Sequence, residues 1–161
     1  MTFLIFIFNH FLTMNNLTKY LLGASAAFAF VLAFSFSKTT PAESEKKPHR
    51  IVFQVTTPDT AAYRALARQL NNVLAHWPQA QLEVVAHNKG IGMLLKDKTN
   101  VQPEITALKM KGIQFVACEN TLKQQKLEKS QIVTESGFVP VGIAEIVTKQ
   151  EEGWAYIKAG F

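Results

Sequence analysis

The chain is predicted to fold as an α/β protein: a three-layer α/β/α sandwich around a mostly parallel five-stranded sheet. Two observations lead there. Short runs rich in β-branched and aromatic residues alternate with stretches of helical periodicity from residue 51 to the end. Strands alternating with helices specify a parallel sheet, because each strand must cross over to lie beside the next. No internal repeat is present.

The first strand is Ile51 to Thr57 (IVFQVTT), followed by Thr57-Pro58-Asp59, a helix start with proline early in the first turn. Ala62, Leu66, Leu70, Val73, Leu74 and Trp77 then fall on one helical face, and Pro78 closes the helix. Leu82 to His87 is the second strand, leading into Asn88-Lys89-Gly90-Ile91-Gly92, a turn whose glycines leave backbone N–H groups open to an anion. It lacks a full dinucleotide or Walker pattern, so a small-ligand or nucleotide binder is the weakest functional reading. Pro103 starts a helix through Lys111 with Ile105, Leu108 and Met110 inward, and Gly112 suits its C-cap.

The third strand, from Ile113, delivers the chain's one cysteine, Cys118. Thr121 and Gln124 fit a capping box, which puts the thiol between a strand end and a helix start. The polar helix that follows is anchored by Leu122 and Leu127. Phe138 to Val141 reads as a short fourth strand, Ile143 to Gln150 as a helix with Ile143, Ile146 and Val147 on the sheet, and Trp154 to Lys158 as the last strand.

Ahead of this domain, Tyr20 to Phe36 is a run of 17 uncharged residues behind Lys19, and a second start is available at Met14. The run exceeds a usual signal-peptide core of about 7 to 15 residues and lies at the short limit of a membrane span. Residues 1–37 are therefore a signal peptide or membrane anchor, cleavage being favoured. Residues 38–49 are a polar, proline-interrupted linker, and 50–161 the domain. The expected location is exported, periplasmic or anchored facing the periplasm, with membrane contact only through the amino-terminal segment.

Residues 44–161 carry 15 basic and 11 acidic side chains, scattered rather than clustered, which argues against nucleic-acid binding. One cysteine excludes an internal disulfide framework, and no Cys/His spacing suggests a metal; no cofactor is expected.

Ligands of open parallel sheets gather beyond the strands' carboxyl ends. Those ends bring together Cys118, the candidate catalytic residue, and the pocket candidates His87, Asn88, Lys89, Gly90, Glu119 and Asn120. His87 or Lys89 would stabilise a thiolate; Glu119 would oppose it. The competing reading is a packed, inert cysteine.

The segments VVAHNKGIGML (84–94), GIQFVACENTL (112–122), VPVGIAEIV (139–147) and QEEGWAYIK (150–158) resemble the DsrE/DsrF-like family of small sulfur-handling proteins. The resemblance implies a DsrEFH-type fold, homo-oligomers (trimers or hexamers), sulfur donor and acceptor proteins as partners, and a cysteine, by position Cys118, that holds sulfane sulfur as a persulfide. The chain departs from the family in reading His-Asn-Lys-Gly where many members read His-Gly-x-Gly. The functional expectation is an exported sulfur carrier, possessing sulfurtransferase-type chemistry on Cys118. The alternative is a non-catalytic binding or assembly module.

Overall fold

The computed structural model describes residues 47–160. The expected signal or anchor, the alternative start at Met14 and most of the linker lie outside the described residues. Among the described residues, no helix is long and apolar enough to cross a membrane.

The elements run β1 (Arg50–Val55), α1 (Thr60–His76), β2 (Gln81–Ala86), a 3₁₀ helix (Asn88–Leu94), α2 (Gln102–Met110), β3 (Gln114–Cys118), α3 (Glu119–Gln125), a second 3₁₀ turn (Lys129–Gln131), β4 (Ser136–Val139), α4 (Gly142–Glu151) and β5 (Ala155–Ala159). The sheet order is β4-β3-β2-β1-β5 and every pairing is parallel. From β1 to β4 the chain steps one place at a time toward one edge. It then returns through α4 to the far edge. Right-handed crossovers therefore put α1 to α3 on one face and α4 on the other.

The two faces are filled unequally. On the first, Phe53, Val84 and Phe115 meet Tyr63, Leu66 and Leu70 of α1, Ile105 and Leu108 of α2, and Leu122 of α3. On the second, the buried cluster is Val52, Val85 and Ile146, with Val116 and Trp154 packed beside it. Strand side chains alternate between the two.

Local chemistry accounts for the helices, with corrections to the sequence reading. α1 is capped by Asp59, whose side chain accepts from the Ala61 N–H at 2.8 Å, so Pro58 stands before the helix. Its inner stripe is Tyr63, Leu66, Ala67 and Leu70; Trp77 instead lies past the helix end and stacks on His49, ring centroids 4.1 Å apart. Met110, expected inward, is 80% exposed because α2 turns only Ile105 and Leu108 to the sheet. Ile143 and Val147, also expected inward, are 52% and 47% exposed; a single helix on a flat face seats one row, and Ile146 occupies it. β4 begins at Ser136, so Pro140 follows the strand rather than interrupting it.

Candidate thiol site at the switch point

Strands β3 and β4 are neighbours, with Cys118 paired to Val139, but their chains leave in opposite directions: β3 into α3 on the first face, β4 into α4 on the second. Such a divergence opens the crevice in which α/β sheets bind ligands. Cys118 is the last residue of β3 and the N-cap residue of α3, and its side chain shares the second face with Val116 and Val85.

Cys118 is 4% exposed, but polar groups as well as Val85 and Val116 surround it. The Gly142 N–H, first in α4, donates to Cys118 Sγ at 3.2 Å. The backbone must come this close, since a Cβ on Gly142 would stand 3.1 Å from His87 Cβ and 3.2 Å from Cys118 Cβ. Thr121, buried one turn into α3, accepts from the Asn88 N–H at 3.0 Å through Oγ1. With its lone pairs engaged there, its hydroxyl proton is free to point at the sulfur. Burial pushes the thiol pKa up, but the Thr121 hydroxyl and the Gly142 amide, with a weaker pull from the amides of Thr121 and Asn120, outweigh it and hold Cys118 below an ordinary thiol. The Asn120 amide contributes least, being engaged by the Pro140 carbonyl at 3.1 Å.

Thr121 lies inside α3, whose N-cap residue is Cys118, and so does not head a capping box with Gln124. Asn88 takes a left-handed conformation, φ 51, which turns its N–H toward Thr121, and its carbonyl accepts from Gln125 Nε2 at 2.9 Å. Sequence reasoning places Pro140 to Gly142 at a strand's carboxyl end but assigns Gly142 no part in the site; a topological argument placing β4 beside β3 supplies it.

The remaining candidates divide. His87 stands in the same row as Cys118, but it supplies no charge. Tyr156 donates its hydroxyl proton to Gln54 Oε1, which leaves the Gln54 amide nitrogen 2.8 Å from His87 Nε2 and makes that ring nitrogen an acceptor. Burial lowers the His87 pKa in the same sense. Glu119 is paired with Lys129, which lowers its carboxyl pKa and draws its charge away from the sulfur. Lys89 does not reach the thiol: it lines a separate cleft of about 390 Å³ with Pro58, Thr60, Tyr63 and Lys98.

Gly90 and Gly92 are packing glycines, correcting the open anion turn expected there. A Cβ on Gly90 would come 2.1 Å from the Val55 carbonyl oxygen, and one on Gly92 3.0 Å from Tyr63 Oη. The Gly90 N–H is already bonded to the His87 carbonyl at 3.0 Å. Among the described residues, no three His, Cys, Asp or Glu side chains gather as a metal would require.

Comparison with known proteins agrees with this architecture. A protein of unknown function from Methanobacterium thermoautotrophicum, MTH1491, superposes with a TM-score of 0.65 at 30% identity, covering 68% of this chain and 98% of its own. BT1422 of Bacteroides thetaiotaomicron, also of unknown function, shares the fold at a TM-score of 0.54 and 16% identity, over 68% of this chain and 93% of its own. No curated protein matches. The family model for DsrE/DsrF-like proteins matches residues 49–159, the whole of the sheet and its helices, and the chain belongs to the DsrE/DsrF-like family.

Proposed function

We propose that the protein is a sulfur carrier whose working atom is Cys118 Sγ. The observation that carries this reading is the Gly142 N–H aimed at the sulfur at the divergence of β3 and β4. Membership of a family with a sulfur-relay-type fold supports it. The Cys118 thiolate attacks the outer sulfur of a donor persulfide; that S–S bond breaks, the donor leaves as a thiolate, and Cys118 holds the sulfur as Cys–S–S⁻. An acceptor thiolate then attacks the same outer sulfur and releases the Cys118 thiolate. Each half-step forms one S–S bond and breaks one, so the exchange is redox-neutral.

The 4% exposure of Cys118 favours one second reading, a binding or assembly module with an inert buried thiol. Intact-mass measurement of the folded protein after incubation with a small-molecule persulfide separates them. The carrier gains one sulfur atom, loses it to added thiol, and gains none as Cys118→Ser. Uptake only after denaturation, or undiminished uptake by Cys118→Ser, overturns it.

Two accompanying proposals concern context. Ile143 and Val147, one turn apart on α4, are exposed apolar side chains, as is Val141 just ahead of the helix, and they favour self-association, in line with the trimers or hexamers implied by the resemblance. Sedimentation of Ile143→Glu/Val147→Glu should then show a smaller species than the wild type. Export through residues 1–37 is tested by fractionation and by the mass of the mature chain.

A further inference from the structure

The helix that supplies the Gly142 amide has little to hold it. Among the described residues α4 is the one helix on its face, and of its larger apolar side chains only Ile146 is buried, against Val52 and Val85. The other hold is ionic. Lys149 Nζ reaches Glu83 Oε2 on β2 at 3.0 Å, and Glu83 is 1% exposed in the middle of an otherwise apolar strand.

Glu83, Val85 and His87 form one row on β2, since alternate residues share a face. α4 runs back along that row. Lys149 meets Glu83, Ile146 meets Val85, and Gly142 lies against His87, where its absent Cβ would also be 3.3 Å from Val85 Cγ1. Seven helical residues rise about 10 Å, and four strand residues span about 13 Å. The helix is thus pinned near both ends of the row.

The surroundings of the ion pair suit a fixed position. Glu145, one turn back on α4, is 3.5 Å from Lys149 Nζ. Lys149 Nζ also sits 4.7 Å from the centroid of the Trp154 ring, Arg50 lies 5.8 Å from the same centroid, and Arg50 donates to the Glu152 carbonyl at the end of α4. Among the described residues Glu83 Oε1 has no hydrogen-bond partner, and Lys149 is the cation that Glu83 pairs with. Apolar side chains would fill this space at lower desolvation cost, but they would not dictate register; a buried pair of charges does.

We propose that the buried Glu83–Lys149 pair sets the register of α4 along β2, and that both are positioning residues which keep the Gly142 N–H on Cys118 Sγ. The inference rests on Cys118 working as a thiolate, the form the carrier reading requires. Its test needs no sulfur donor.

The thiolate's ultraviolet absorbance is titrated in Glu83→Gln, Lys149→Met and Lys149→Arg, each read against the same protein carrying Cys118→Ser, with circular dichroism to establish folding. Loss of the amide donor should raise the titration midpoint by about one pH unit, or about tenfold less thiolate at neutral pH, in both Glu83→Gln and Lys149→Met. Lys149→Arg, which keeps the charge, should stay near the wild type. A direct charge effect has the opposite sign for Glu83→Gln, because removing a carboxylate lowers a thiol's pKa. A folded Glu83→Gln with an unchanged or lowered midpoint therefore overturns the inference. If the single variants do not fold, Glu83→Leu/Lys149→Met removes both charges together, and an unchanged midpoint there overturns it equally. A shifted midpoint without sulfur uptake sinks the carrier reading alone; uptake with no shift sinks this one alone.

Discussion

The two faces of the sheet are held by different means. Against the first, α1 and α2 press a continuous layer of Leu, Ile, Phe and Tyr side chains, most of them almost wholly buried. Against the second, α4 contributes Ile146, an ion pair and one backbone amide, and turns Ile143 and Val147 outward. Each buried Leu, Ile or Phe side chain contributes roughly 1.5–3 kcal/mol, so the first face carries most of the stability. The thiol opens onto the lightly covered face. Most of the stability and the candidate thiol are thereby separated by the thickness of the sheet.

Substitutions sharpen this division, and the largest effect belongs to the first face. Leu70→Ala should cost about 3–4 kcal/mol in denaturant unfolding, as a cavity in a layer that cannot collapse, while the thiol midpoint of the folded fraction stays put. Gly142→Ala should cost about 2 kcal/mol by overpacking His87, Cys118 and Val85, and should also raise the thiol midpoint by moving the amide away. Thr121→Val should cost about 1 kcal/mol by stranding the Asn88 N–H, and again raise the midpoint. The two faces would lose their distinction if Leu70→Ala shifted the thiol as far as Gly142→Ala does.

A pH series adds a smaller effect on the second face. The folded His87 pKa is below its ordinary value, so the unfolded chain takes up a proton first as pH falls. The stability from a neutral His87 is full above about pH 6.5 and is lost as pH drops from there through the folded value. His87→Gln should flatten that part of the profile. Smallest of all, Ile143→Ser should leave monomer stability within about 0.5 kcal/mol, since its side chain already faces out.

Much of this was legible in the sequence. The alternation of β-branched runs with helical stripes gives the five strands, their order along the chain and the position of Cys118 at a strand's carboxyl end. Periodicity identifies a stripe but not which of its residues the fold leaves uncovered, and so Met110, Ile143 and Val147 read as inward. Glycines read as permission for an anion to approach, when Gly90 and Gly92 admit the Val55 carbonyl and the Tyr63 hydroxyl; spacing alone does not distinguish a ligand from a neighbouring strand. Gly142 was legible as a strand-end residue but not as a partner of the thiol, because that role depends on β4 lying beside β3, a fact of topology. Glu83 read as an ordinary strand position, because its partner Lys149 is 66 residues away on the last helix.

Gly90 has one more consequence. With the backbone after β2 locked onto the end of β1, and Thr121 tied to Asn88, the floor and one wall around the sulfur form a single rigid piece. α4 closes the other side, seated by Ile146 and the Glu83–Lys149 pair. Insertions between residues 88 and 92 should therefore be poorly tolerated, since lengthening this stretch would part the floor from the wall that Thr121 holds.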